Sequence, residues 1–320
     1  MPHKQLISIV TPCYNEEENI AEHFKSISKI IKPFQKKYNF EFIYTDNCSK
    51  DKTFDLLKNL AKNHKNLKAI RFSRNIGANR SIFIGLSHAK GDCAILIQAD
   101  LQDPPELIPQ FINWWKKGFD VVYGKIIERK EFLLLRLLRQ AYYKLITTLS
   151  DIDIPQNAGE FRIMSRRILD AISQYTEDDI YLRGVIAHIG FKQKEILYIR
   201  GKRTKGQSSV NFLSLIAYGI NGLLSTTVVP IRLTFIIGFF FSFVGFSLTV
   251  FLVVAKFVFP DKAPHGFTTL GIIITLFAGV QMLSIGIIGE YIRKTYIQSL
   301  RRPKGFVEEK INCYETPYHY

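Results

Sequence analysis

Short apolar, β-branched runs alternate with longer amphipathic ones through the first third of the chain. Runs at 6–11, 40–45, 67–72, 93–98 and 120–123 have the length and composition of strands. Between them, 17 to about 34, 52–64, 76–89 and 105–117 carry apolar residues at helical spacing, the first behind a candidate Asn15 cap and the last opening on proline. Strand and helix in alternation predict a βαβ series around a mainly parallel sheet. In such sheets ligands bind beyond the carboxyl ends of the strands. The polar clusters 12–18, 46–51 and 99–103 each follow a strand and are expected to meet there.

The pattern changes after Glu128. Residues 132–149 form a leucine-rich, basic helix candidate suited either to a membrane surface or to a core, and 212–224 form a second, whose position just before the apolar spans favours the membrane surface. Two apolar spans follow, 231–259 and 268–288, each at or beyond the ~20 residues that cross a bilayer. The connector FPDKAPHG leaves room only for a tight turn, so the spans predict a transmembrane helical hairpin. Arg200, Lys202, Arg203 and Lys205 precede it, Arg293, Lys294, Arg301, Arg302 and Lys304 follow it, and the connector holds only Lys262. By the positive-inside rule both flanks, and both termini, are cytoplasmic. The expected division is a catalytic domain at 1–210, a juxtamembrane amphipathic helix at 211–228, two spans within 229–292 and a basic tail at 293–320.

Composition adds a basic excess, 43 Lys and Arg against 28 Asp and Glu, a net +15, which implies an anionic partner. No nucleic-acid motif accompanies it, and its place beside the spans suits anionic lipid better, so a nucleic-acid partner is not expected. Four scattered cysteines without CxxC spacing suggest neither a zinc site nor a disulfide framework. The opening MPHKQLISIV has no signal-peptide apolar stretch, which leaves the region before the first span expected in the cytoplasm.

The densest chemistry lies in Gln98-Ala-Asp100-Leu-Gln102-Asp103-Pro-Pro-Glu106. If this stretch is extended, Gln98, Asp100 and Gln102 present three oxygens to one space, a donor set suited to Mg2+ or Mn2+ shared with substrate phosphates. The same residues also suit a strand-end turn in which Asp100 or Asp103 merely caps the next helix. The residues alone leave both readings open.

Taken in order, SIVTPCYNEEENI, YTDNCSKDKT, RNIGANRSIFIGLSHAKGD and QADLQDPPE resemble the catalytic domain of glycosyltransferase family 2, with its GT-A fold. NAGEFRIMSRR, RTKGQSSVNF, the double span and GEYIRKTYIQSLRRPKGFV extend the likeness to the polyprenyl-phosphate glycosyltransferases, among them dolichol-phosphate mannose synthase and the bacterial bactoprenol glucosyltransferases. The resemblance implies an α/β GT-A catalytic domain with interfacial helices and a C-terminal two-helix transmembrane hairpin. It implies that Pro12, Tyr14, Glu16, Asp46 and Asp100 bind the nucleotide-sugar, and that Asp100, Gln102 and Gln98 hold Mg2+ or Mn2+. Gln98 stands where many relatives have Asp, so Asp103 becomes a candidate third ligand or sugar contact. Asn47, where a second Asp is frequent, is left as a possible hydrogen-bonding residue.

Glu160 occupies a position usually held by Asp, and with Asp100 and Asp103 completes the catalytic candidates; as a bare residue it equally suits an ion pair with Arg162 or Arg166. A general base is dispensable, because a lipid monophosphate is already largely anionic at neutral pH. Arg162, Arg203, Lys205 and Ser208 are the candidate ligands of the acceptor phosphate, and the last three equally read as a basic juxtamembrane stretch. The implied reaction is an inverting transfer of a sugar, glucose from a UDP-linked donor by analogy, to polyprenyl (undecaprenyl) phosphate at the inner (plasma) membrane, with lipid-facing helices available for a homo-oligomer. A processive polysaccharide synthase and a catalytically impaired, membrane-tethered scaffold are the rival readings.

Overall fold

The structure, a computed structural model, describes residues 4–127, 158–175, 181–201, 229–258 and 267–313. The strands are β1 (Gln5–Cys13), β2 (Tyr38–Asp46), β3 (Leu67–Phe72), β4 (Cys93–Leu96), β5 (Val121–Ile126), β6 (Ala158–Ser165), β7 (Gln193–Tyr198) and β8 (Val307–Ile311). The helices are α1 (Ile20–Ile31), α2 (Thr53–Asn63), α3 (Ala78–Ser87), α4 (Ile108–Lys116), α5 (Arg166–Ser173), α6 (Leu182–Ile189), α7 (Val229–Val258) and α8 (Phe267–Ser299).

All eight strands join one sheet in the order β7-β5-β6-β4-β1-β2-β3-β8. Its centre is parallel: β1 lies between β2 and β4, and β2 pairs with β3 in the same sense. These strands are covered on both faces, which is why they read as nearly continuous apolar runs. Ile7, Ile9, Phe42, Tyr44 and Ile95 belong to one core layer with Phe24, Phe54 and Phe111 of α1, α2 and α4. Val10, Ile43, Ile70 and Leu96 belong to the other with Ile84, Ile168 and Val185 of α3, α5 and α6. In α1 the buried positions Ile20, His23, Phe24, Ile27 and Ile31 recur at helical spacing. α3 lies so close to the sheet that a Cβ on Gly85 would stand 2.7 Å from Val10 Cγ1.

The five strands expected from the sequence are present, and three more were not expected. β6 runs antiparallel between β4 and β5, β7 pairs with β5 in parallel, and β8 pairs antiparallel with β3. AGEFRIMS, QKEILY and VEEKI each carry charges that break the apolar run by which a strand is recognised.

Several expectations need correction. Asn15 does not cap α1: it sits at φ +54° and accepts a bond from Lys50 N through its side chain, while a turn closed by Asn19 N and Ile20 N on Glu16 O delays the helix to Ile20. The segment after 293 is not a simple tail. α8 runs on to Ser299, and the chain then turns back so that Ser73 N donates to Phe306 O and β8 seals the β3 edge. Glu309 pairs with Lys58 at 2.8 Å, and Asn312 Nδ2 lies 3.1 and 2.9 Å from the carbonyls of Ala61 and Leu67.

The helix candidates 132–149 and 212–224 lie outside the described residues. α7 and α8 are 30 and 33 residues long and touch through Phe241 and Phe277, whose ring centroids are 5.3 Å apart. Among the described residues no helix is long and apolar enough to cross a membrane. Within α7 and α8 the side chains at 230, 248–249, 252–253, 255–256, 267–269, 271–272 and 275–276 fall outside that description.

Candidate active site

The strand order brings the polar clusters together. Cys13 lies opposite Asp46, and Val10 opposite Leu96, so the segments leaving β1, β2 and β4 emerge side by side at the carboxyl edge. The first two are sewn together by backbone donors: Asn15 N to Ser49 Oγ, Glu16 N to Thr53 Oγ1 and Glu17 N to Asp51 Oδ2, at 2.8–3.1 Å. Lys52 N returns a bond to Glu17 Oε2. Asn47 carries the lacing on to the next loop, donating to Asn75 Oδ1 and accepting from Ile76 N. A hydrogen-bonding role for Asn47 was the expectation; its partner Asn75 was not foreseen.

On this side Pro12 lies in β1 and Tyr14 just past its end, both partly exposed. Glu16 accepts a 2.6 Å bond from Asn19 Nδ2. Asp46 is 0% exposed and serves the turn, taking the amide of Ser49 at 3.3 Å on each carboxylate oxygen, with Arg71 Nε 3.8 Å away. Burial raises its pKa, against the opposing pull of the Ser49 bonds and the Arg71 charge.

The motif around Asp100 forms differently from the extended arrangement expected. β4 ends at Leu96, and the backbone reverses at Leu101, a branched residue at φ +57°. Such a conformation costs a non-glycine residue ~1–3 kcal/mol and clusters at functional sites. Asp100 Oδ1 accepts from Gln102 N at 3.1 Å, so a turn and not strand alternation sets the relation of the two side chains. Gln98 is partly exposed.

Two chain segments distant in sequence converge on this turn. Because β6 runs against β4, with Arg162 opposite Leu96, its first residues arrive at the carboxyl end of β4. Because β7 runs with β5, Tyr198 and Arg200 arrive there too. Asp103, 2% exposed, accepts from Tyr198 OH at 2.6 Å and faces Arg200 Nε at 3.2 Å. Burial raises its pKa, opposed by Arg200 and the Tyr198 bond. Arg200 also stands 3.6 Å from Asp100 Oδ2. Beyond it, Gly201 N donates to Gln102 O, and Gln102 Nε2 to Gly201 O.

Glu160 pairs with Arg183 at 2.7 Å and with Arg162 at 3.6 Å. Burial acts to raise its pKa, yet the Arg183 and Arg162 charges outweigh that and leave it below the ordinary carboxylate value. Of the two partners expected for it, Arg162 is found and Arg166 is not: Arg166 donates to the carbonyls of Gly91 and Ala89. Arg162 does not stand as an open phosphate clamp, being 3% exposed with its guanidinium on Gly159 O and Glu160 O. Arg203, Lys205 and Ser208 lie outside the described residues. Sequence reading missed Arg183, Tyr198 and Arg200; of these only Arg200 left a trace, as one of the charges before the first span.

Among the described residues no three His, Cys, Asp or Glu side chains gather into a metal cage. A Mg2+ site of the open kind needs only one or two protein carboxylates, with waters and substrate phosphates supplying the rest. The hard oxygens of Asp100, flanked by the amides of Gln98 and Gln102, fit that kind of site, because Asp103 is committed to Tyr198 and Arg200.

The sequence profile of "Glycosyl transferase family 2" matches residues 8–173. A prophage bactoprenol glucosyl transferase homolog of Escherichia coli is 33% identical over 94% of this chain and 98% of its own length. The bactoprenol glucosyl transferase of Shigella phage SfV is 33% identical over 95% and 98%. An uncharacterized glycosyltransferase of Bacillus subtilis, YkcC, is 34% identical over 94% and 93%. With the profile spanning more than half its length and relatives above 30% identity spanning nearly all of it, the chain belongs to glycosyltransferase family 2.

Proposed function

We propose that this protein transfers glucose from a UDP-linked donor to polyprenyl (undecaprenyl) phosphate, with inversion at the anomeric carbon, at the cytoplasmic face of the membrane. One observation carries the reading: relatives named bactoprenol glucosyl transferases match 94–95% of the chain, the long C-terminal helices included. The donor sits across the laced loops after β1 and β2, near Pro12, Tyr14, Glu16 and Asp46. Asp100, with Gln102 and Gln98 beside it, is the holding point for Mg2+ or Mn2+. When bound, the ion neutralises charge on the departing nucleoside diphosphate.

The attacking phosphate oxygen needs no base. Glu160, its pKa lowered by two arginines, is poorly suited to take a proton. Its work is to hold Arg183 and Arg162, while Asp103 holds Tyr198 and Arg200, so both carboxylates act as positioning residues. Arg183, beside Glu160, replaces Arg162 as the cation facing the acceptor phosphate, in company with Arg203, Lys205 and Ser208.

The hairpin α7–α8 confines the enzyme to the bilayer that holds the acceptor's tail. Phe235, Phe239, Phe243 and Phe246 stand 64–74% exposed, and LTFIIGFFFSFVGFSLTVFLVV carries no charge, both of which suit lipid contact.

The test is incubation of the purified full-length protein with undecaprenyl phosphate and a panel of nucleotide-sugars, reading lipid products by mass. UDP-glucose should give a lipid one hexose heavier. Failure of every nucleotide-sugar to yield a lipid product removes the proposal.

A further inference from the structure

Arg200 differs from the other two arginines of the site in how it is held. Arg183 makes a 2.7 Å bond to Glu160, and Arg162 a 2.7 Å bond to Gly159 O. Arg200 reaches both Asp100 and Asp103, at 3.6 and 3.2 Å, yet its buried Nε has no hydrogen-bond partner in good geometry. A strong arginine–carboxylate pair is bidentate and aligned. This one is held by charge without the fork, so its attachment is electrostatic and exchangeable. Its side chain is also 32% exposed, which gives it space to move.

The charges of the cluster balance. Asp100, Asp103 and Glu160 stand against Arg162, Arg183 and Arg200. A divalent ion arriving alone at Asp100 would meet a positive charge already placed there and leave the cluster with two charges in excess. An ion arriving with a diphosphate brings its own compensation, and offers Arg200 phosphate oxygens in exchange for the carboxylates.

We propose that Arg200 is the resident counter-cation of the Asp100 motif, suppressing divalent-metal binding in the free enzyme and thereby making metal and nucleoside diphosphate bind together. The inference rests on the reading of Asp100 as metal ligand and adds to it a residue that sets the coupling. The contact also touches the acceptor side. Gly201 is tied to Gln102 through Gly201 N to Gln102 O and Gln102 Nε2 to Gly201 O, and a Cβ there would lie 3.3 Å from Gln102 O. Arg200 is thus followed directly by a residue anchored to the Asp100 turn, at the head of the segment that leads to Arg203 and Lys205.

The experiment is a Mn2+ titration followed by electron paramagnetic resonance, with and without UDP, on full-length wild type, Arg200→Gln and Arg200→Lys in nanodiscs. Arg200→Gln should bind Mn2+ without UDP about five- to tenfold more tightly than wild type, and the tightening due to UDP should shrink by a similar factor. Arg200→Lys, which keeps the charge, should behave as wild type; a packing role for the guanidinium would instead disturb both variants alike. Should Arg200→Gln fail to fold by circular dichroism, Arg200→Met takes its place. UDP-free affinity in the neutral variant equal to or weaker than wild type overturns the proposal. A wild type that forms lipid product but binds no Mn2+ even with UDP overturns it while leaving the transferase reading intact, and one that does neither removes both.

Discussion

In the proposed function Asp100 is the residue that would hold the metal, and its neighbours bear on how one carboxylate would suffice. Asp103 is buried and bonded to Tyr198 at 2.6 Å, so it cannot replace Asp100 as a ligand without giving that bond up. Asp100→Asn keeps the volume and the turn bond from Gln102 but loses the charge; product formation should fall about 10²–10³-fold, the scale of losing one electrostatic contact in a transition state. Folding, followed by circular dichroism, should be unchanged. An Asn variant with wild-type turnover would exclude Asp100 from the reaction.

His23 offers a second residue-scale prediction. It is 0% exposed, with Nδ1 3.0 Å from Tyr44 OH, and burial lowers its pKa from 6.5 to about 4, the Gln98 backbone opposing in part. With the folded value depressed, the unfolded chain takes up the proton first as pH falls. Stability from the neutral ring is complete above about pH 6.5 and is lost as pH drops toward 4, by at most about 3 kcal/mol. The melting temperature of wild type should therefore fall more steeply between pH 6.5 and 4 than that of His23→Gln. Parallel profiles for the two would refute this.

At the scale of elements, the decisive feature is how closely α3 meets the sheet. Gly85 leaves no room for a methyl group beside Val10 Cγ1 at 2.7 Å and Thr45 Cγ2 at 3.1 Å. Thr45 is one residue before Asp46 and bonded through Oγ1 to Ser81, so a displaced α3 would disturb the end of β2 as well. Gly85→Ala is expected to destabilise by up to about 2 kcal/mol, because an overpacking cost of about 1–3 kcal/mol is only partly offset by the ~1 kcal/mol gain in helix propensity. Denaturant melts of the two proteins measure it, and a more stable alanine variant would show that the sheet and helix can separate without cost. The strands β1 to β5 and helices α1 to α4 were visible in the sequence because each buries an apolar run or stripe of regular period. β6 to β8 were not: VEEKI alternates too little to mark a buried face, and its place at the sheet edge lets its charges pair outward with Lys58 and Arg71.

For the whole molecule, the return of the chain after α8 matters most. β8 covers the edge of β3, and Lys304 reaches Tyr175 O at 3.0 Å and the face of Phe83 at 3.8 Å. The long helices are thus an insertion between two parts of one sheet. A chain cut after residue 228 would lose β8 and leave the β3 backbone as an open edge, the kind of surface that recruits other strands. Size-exclusion chromatography should show it aggregating, with a lowered melting temperature. A monodisperse product that melts like the full chain would mean that β8 is dispensable.

Local order and the position of the proposed reactive motif could be read from residues in a row: apolar periodicity marks the elements, and Asp100 with its flanking amides lies within five positions. Periodicity is a property of neighbouring residues, so it survives without any knowledge of the fold. The partners of that motif could not be read, because Glu160, Tyr198 and Arg200 reach it only through the antiparallel course of β6 and the pairing of β7 with β5. Charge and hydrogen bonding act over a few ångströms in space, and strand order alone decides which distant side chains come within that reach.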